Sequence, residues 1–259
     1  MALGVIFITL LMLIPLPVIA VDIFIGLNLL CTIIILFTAL MVKKTTDFYF
    51  FPSLLLISTG ITLAISISAC RTILSKGVDF DGWLICTVSN LIAGSGKTEQ
   101  LWIDFIAFVI FAAAVRIIVV KGAARTAEVA ARFTLDAMPG RQMSIDSDLA
   151  SNLINEEEAK KRREEIIEDA DFYGAMDGAS KLVSLCANIN IIIIAIIIAG
   201  GTAIDYLYHN IPLIDALKTY IHLSIGSGIL FFLPVLIIST AIGTAVPRSI
   251  VRIYLNKLQ

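Results

Sequence analysis

Long apolar runs alternate with polar connections along this chain of 259 residues. A helix of about 20 residues crosses roughly 30 Å of hydrocarbon, and six runs meet that length, at about 3–21, 23–42, 50–72, 101–120, 188–207 and 225–247. The first two almost touch. Pro15 and Pro17 break the register between them, because proline lacks the backbone donor and crowds the preceding turn. Asp22 stands at the joint, where a carboxylate caps the helix that follows. Spans one and two are expected to form a hairpin, with one or both inserted obliquely.

The third span carries Ser58, Thr59, Thr62, Ser66 and Ser68 before Arg71. Thr59, Thr62 and Ser66 fall near one stripe of a helix, which predicts a face turned to protein or water rather than lipid. Residues 73–100 form a polar connection ending in a Gly94–Gly96 turn. Within it, Trp83–Ile92 is apolar but too short to cross, as expected of an interfacial or re-entrant piece.

Between the fourth and fifth spans lies a charged island, 121–187, holding 9 of the 19 Lys and Arg residues and 13 of the 21 Asp and Glu. Its first part, Ala123–Leu135, reads as a helix that stops at Pro139–Gly140. Asp146 and Asp148 follow in a polar turn. Asn155–Ala170 is then a solvated helix in which Asn155 acts as the cap, with Glu158 three residues on. Glu157–Lys161 and Glu158–Arg162 are spaced four apart in the favourable order for ion pairs.

The fold class is therefore an all-α polytopic membrane protein with about six transmembrane helices and a helical loop between the fourth and fifth. Its expected divisions are 1–120, a first group of four spans; 121–187, the loop; 188–247, a second group of two spans; and 248–259, a basic tail. With 58% hydrophobic and only 15% charged residues, a soluble fold is excluded. The N-terminus has neither a basic region nor a cleavage pattern, so no signal peptide is expected. Placing the N-terminus inside leaves 14 of the 19 basic residues on inner connections, among them Lys43, Lys44, Arg248, Arg252 and Lys257. The island is then cytoplasmic.

Candidate chemistry is sparse. The formal charge of -2 gives no basic balance for nucleic acid. Four unpaired cysteines, two isolated histidines and no G-x-S-x-G context predict neither enzyme activity nor a cofactor, metal or catalytic residue. Ala93–Thr98 departs from the phosphate-cradling pattern at Leu91, where that motif needs glycine. The intramembrane polar candidates are Asp22, Asn28, Arg71 and Arg116, with Asn188, Asn190 and Asp205 nearby. Arg116, near the inner edge, is expected to snorkel.

The stretch Ala127-Glu-Val-Ala-Ala-Arg-Phe-Thr-Leu-Asp-Ala-Met-Pro-Gly-Arg-Gln-Met-Ser-Ile-Asp146 resembles the signature of the FHIPEP family, the export-apparatus membrane proteins of bacterial flagella and type III secretion systems. Asp171-Phe-Tyr-Gly-Ala-Met-Asp-Gly-Ala-Ser-Lys181 is similar to that family's next block. The resemblance implies an inner-membrane export gate that couples membrane energy to substrate translocation. It also implies a homo-oligomeric ring, ninefold in the family, among other export-apparatus proteins, membrane lipid and secreted substrates. Family members carry about eight spans and a large cytoplasmic domain, so this chain matches the first six spans of either a fragment or a short gene product. The loop residues expected to serve assembly are Glu128, Arg132, Asp136, Met138, Pro139, Gly140, Asp146, Asp148, Asp171, Asp177 and Lys181.

Departures bear on mechanism. Where the family has arginine and asparagine in span three, this chain has Thr62 and Ser66. Its Gly-Asp at the mouth of span five is Leu185-Cys186, and its Gly-Asp-Gly in span six is Gly226-Ser-Gly228. A thiol or hydroxyl does not cycle a proton near neutral pH as a shifted carboxylate does. Two alternatives stand beside the export gate: a proton-coupled transporter or ion channel, and a structural remnant that assembles without export activity.

Overall fold

The computed structural model describes residues 2–14, 16–41, 50–93 and 98–255, and every regular element among them is helical. The helices are α1 (Ala2–Leu13), α2 (Val18–Met41), α3 (Phe51–Lys76), α4 (Trp83–Ala93), α5 (Thr98–Ile117), α6 (Ala124–Ala150), α7 (Glu156–Tyr208) and α8 (Leu213–Leu255). Lys43, Lys44, Pro15, Gly94–Gly96, Lys97 and Lys257 lie outside the described residues. The side chains of 246–255, which include Arg248 and Arg252, are likewise not described.

Five helical stretches among the described residues are long and apolar enough to cross a membrane, not six. The expected first span fails because α1 ends at Leu13 after 12 residues, about 18 Å of rise. Pro17 then starts α2, its carbonyl accepting from the Ala20 and Val21 amides at 2.9 and 3.1 Å. That early start puts Asp22 inside α2 rather than at a joint. The short α1 packs along α3, where the Ile8 side chain lies over Gly60.

On α3 the hydroxyl stripe faces protein: Thr59, Thr62 and Ser66 are all buried. Each hydroxyl returns a hydrogen bond to a carbonyl one turn back, at 2.7, 2.9 and 2.9 Å, which lets polar side chains sit in an apolar core. After Gly77–Asp79, a single 3₁₀ turn, the chain enters α4. The 11 residues of α4 lie across α8. A Cβ at Gly226 would run into the Ile85 carbonyl, so only glycine allows that crossing.

The second half of the chain consists of long rods. Helix α5 passes through one π-helical stretch, Ile118–Ala123, directly into α6. Pro139-Gly140 does not stop α6, which runs on to Ala150 and takes Asp146 and Asp148 into its last turns. Pro139 sits on the exposed side, so the carbonyl freed by its missing N–H is not buried, while Ala130, Ala131 and Ile145 hold the inner side. A turn at Ser151–Asn155, with Asn152 at φ 54°, reverses the chain. Helix α7 then runs unbroken for 53 residues from Glu156, in the polar region, to Tyr208, past the apolar run.

The main core lies where α3, α7 and α8 pack together, with Tyr220, Phe231, Phe232, Ile197 and Ile225 fully buried. Many side chains on α2 and α5 remain exposed and apolar, including Ile23, Leu27, Phe37, Ile106 and Ile110. These outer surfaces suit lipid, in keeping with the spanning reading.

Candidate functional site: a charged hairpin on a polar-stitched bundle

The charged island folds as an antiparallel pair, α6 against the first half of α7. Asn155 caps α7 as its sequence predicts, its Oδ1 accepting from the Glu158 amide at 2.8 Å. Three acidic residues, Glu156–Glu158, fill the first turn, where the helix dipole favours negative charge. A small satellite core of Ile145, Ala159 and Ile166, with Met138, Leu149 and Ile154 against it, joins the helices near their tip.

Ion pairs set the register of this pair. Arg163 Nη2 meets Asp146 Oδ1 at 2.5 Å and Arg162 reaches both Asp148 (3.4 Å) and Glu158 (3.2 Å). Arg141 contacts Asp169 at 3.5 Å, with both side chains less than a quarter exposed. Burial pushes the Asp169 carboxyl above the usual carboxylate range, against the pull of the Arg141 guanidinium. This pair escaped the sequence reading. An Arg and an Asp 28 residues apart carry no local signal until the hairpin turn is known.

Closer to the bundle, Lys181 bonds Asp177 Oδ2 at 2.7 Å within one turn, while Asp177 Oδ1 is buried with no hydrogen-bond partner among the described residues. Met176 is fully buried with Tyr173 in the main core, Met138 is half-buried, and Met143 is exposed. Glu128, Arg132, Asp136, Pro139, Gly140 and Asp171 all lie on exposed sides. Glu128 and Arg132 stand four apart on α6, and among the described residues neither joins an ion pair.

The intramembrane candidates are not isolated. Asp22 caps, but it caps α4 rather than α2: its carboxylate accepts from the Trp83 amide at 2.7 Å and the Leu84 amide at 3.3 Å. Those are two of the four amides a helix start leaves without intrahelical partners. Asn28 Oδ1 lies 3.2 Å from Thr62 Oγ1 and shares the hydroxyl proton that also serves the Ser58 carbonyl, stitching α2 to α3. Arg71 donates to the Leu13 carbonyl at 2.7 Å and so closes the C-terminal end of α1. Arg116, expected to snorkel alone, donates through Nε to Asn188 Oδ1 at 2.7 Å, linking α5 to α7.

Further contacts were not visible in the sequence. Asn190 donates to the Phe231 carbonyl at 3.1 Å, Ser89 Oγ donates to the His222 carbonyl, and His222 Nε2 faces Asn90 Oδ1 at 3.1 Å. At the end of the bundle away from the hairpin, Lys76 bonds Asp81 and holds its carboxyl below the usual range. There, too, Asp205, fully buried in the turn region of α7, meets His209 Nδ1 at 2.9 Å. The two positions where the resemblance places family carboxylates, Cys186 and Ser227, are both fully buried. Among the described residues, no group of three His, Cys, Asp or Glu side chains converges to hold a metal ion.

This polar hairpin rooted in an apolar bundle has known counterparts. The FHIPEP family model matches residues 8–257. The chain belongs to the FHIPEP family. It is 42% identical over 247 residues to the flagellar biosynthesis protein FlhA of Borreliella burgdorferi, covering 95% of this chain and 35% of that protein. It is 41% identical over 249 residues to FlhA of Caulobacter vibrioides (96% and 35%), and 41% identical over 246 residues to FlhA of Bacillus subtilis (95% and 36%). The chain thus spans about a third of the length of the curated relatives it matches. No solved structure matches. The chain is accordingly a multi-pass inner-membrane protein.

Proposed function

We propose that this chain forms the membrane portion of a protein-export gate, acting by assembly and conformational coupling rather than by covalent chemistry. Its hairpin lies on the cytoplasmic side, as the distribution of Lys and Arg favours. The observation that carries the reading is the continuity of α7. One unbroken helix begins at the Asn155 cap, passes the hairpin ion pairs and runs through the bundle core against α8. A rigid rod of this kind transmits a displacement of the hairpin to the membrane helices, because packed helices shift as units. The polar stitches at Arg116–Asn188 and Asn190–Phe231 tie the rod to α5 and α8.

A homo-oligomeric ring, other membrane proteins of the export apparatus and unfolded secreted substrates are the partners proposed on family grounds. The buried thiol and hydroxyl at Cys186 and Ser227 favour a second reading, a component that assembles without cycling protons at those positions. One pair of measurements tests both. Export of a reporter substrate is followed in cells dependent on this gene, and the mass of the chain extracted in native lipid is measured alongside. Oligomers with export support the gate, and oligomers without export support the second reading. A monomeric chain whose helices remain folded refutes assembly altogether.

A further inference from the structure

Asp205 is the one fully buried carboxylate among the described residues, and three elements meet on it. His209, one turn further along α7, places Nδ1 2.9 Å from Asp205 Oδ1. Tyr220 of α8 brings its hydroxyl up beside the same carboxylate, and the end of α3 closes over both. A Cβ on Gly77 would lie 3.0 Å from Asp205 Oδ1, 3.1 Å from the Tyr220 hydroxyl and 3.5 Å from Asp205 Oδ2. Gly77 stands at φ 57° with its amide capping α3 at the Ile73 carbonyl, so glycine serves both the turn and the close approach. Tyr220 is in turn seated on α7, because a Cβ at Gly201 would run into its ring. The Asp205 carbonyl accepts from the His209 and Ile211 amides, each at 3.2 Å, so this residue also builds the turn that leads into α8.

A carboxylate taken out of water is costly unless a cation and hydrogen-bond donors compensate it. Among the described residues, His209 is the only basic side chain paired with Asp205. The other charged groups at this end are occupied elsewhere. Lys76 bonds Asp81, Lys218 bonds Asp215, Arg71 donates to the Leu13 carbonyl, Asp22 holds the amides of α4, and Asp79 is exposed. Tyr220 brings a neutral hydroxyl, and His222 faces Asn90 instead. The His209 side chain is 60% exposed and that of Asp205 0%, so water reaches the imidazole but not the carboxylate. An imidazole changes its charge between about pH 5 and 8, which makes the compensation of Asp205 conditional.

We propose that His209 and Asp205 form a proton-operated latch. One proton from the water at this end of the bundle adds to the His209 ring nitrogen that does not face Asp205, while Nδ1–H goes on donating to the carboxylate. The pair thus gains a charge rather than a bond. In the charged form it holds the α7–α8 turn closed on the end of α3, and loss of the proton leaves a buried charge without its counter-charge and loosens that end. The latch itself is independent of the export reading. Which side it senses rests on the cytoplasmic placement of the hairpin, and on that placement it responds to pH outside the inner membrane.

Hydrogen exchange of the full chain in lipid nanodiscs, where both ends meet one buffer, tests the latch. Protection factors are compared, since they remove the intrinsic pH dependence of exchange. In the wild type, protection of the amides of 77–80 and 209–211 is expected to be roughly fivefold greater at about pH 5.5 than at about pH 8, the margin of a charged over a neutral hydrogen bond, with α2 unchanged. His209→Lys keeps the charge and is expected to stay protected at both values. His209→Gln keeps only a neutral donor and is expected to stay loose at both. Asp205→Asn removes the buried charge and is expected to flatten the slope with protection retained. The exposure of His209 lets both of its variants fold. Equal wild-type protection at the two pH values would overturn the latch, as would a slope that survives His209→Gln or His209→Lys no better protected than His209→Gln. None of these readouts needs export or oligomers, so the latch and the gate reading fail separately.

Discussion

Asp22 separates two physical roles that a membrane carboxylate can play, capping and proton carriage. Its carboxylate accepts from the Trp83 and Leu84 amides at the start of α4, 61 and 62 residues away in the chain. Replacing a helix N-cap by alanine costs about 0.5–2 kcal/mol. Loss of the negative charge at that helix end adds roughly 0.3–1 kcal/mol. Asp22→Ala is therefore expected to loosen α4 by about 2 kcal/mol, roughly a 30-fold rise in its open population. Asp22→Asn keeps one acceptor oxygen and is expected to cost less than about 1 kcal/mol, under tenfold.

A native reporter sits on the helix concerned. Cys86 is half-buried on α4, its thiol resting near the Phe80 carbonyl at 3.7 Å. Its maleimide labelling rate in native membranes measures opening of α4, with a Cys86→Ala chain as the blank. The capping account expects labelling of Cys86 to rise about 30-fold in Asp22→Ala and only severalfold in Asp22→Asn. Equal labelling in wild type and Asp22→Ala would refute it. So would equal acceleration by Asn and Ala, because a residue that works only through its charge or proton loses the same function in both.

Three further outcomes follow from the packing. Gly226→Ala forces a methyl onto the Ile85 carbonyl and Ser89, and such overpacking costs typically about 1–3 kcal/mol. Thermal unfolding in detergent should show a lowered midpoint, and an unchanged midpoint would mean that α4 does not sit on α8 this closely. In the hairpin, Arg141→Ala strands the part-buried Asp169 and is expected to destabilise by about 1–3 kcal/mol, with most of that recovered in the Arg141→Ala/Asp169→Asn double variant. Because burial raises the Asp169 carboxyl, the folded state holds its proton more tightly than the unfolded chain does. The contribution of Asp169 to hairpin stability is therefore fully present at low pH, falls as pH rises above the ordinary carboxylate range and levels off past the raised value. Asp169→Asn should abolish that slope in hydrogen exchange across α6, and persistence of the slope would assign it to another group.

The sequence alone determined the membrane class and the all-helical fold, because hydrocarbon length and composition are local properties of the chain. It also determined the Asn155 cap, the Glu158–Arg162 pair and the buried hydroxyl face of α3, each of which follows from spacing within one helix. The motifs at 127–146 and 171–181 pointed to the family for a different reason, being order-specific strings rather than compositions. Only the tertiary structure decided which helix Asp22 caps, that Arg116 meets Asn188, and that Arg141 meets Asp169, since those partners lie 28 to 72 residues apart. It likewise decided that α6 runs through Pro139-Gly140. A local stop signal is overridden when the inner face of a helix is held by packing and the freed carbonyl is not buried. The first span failed for the converse reason: two apolar runs that are each long enough in sequence became a short helix and a long one once Pro17 set where the second could begin.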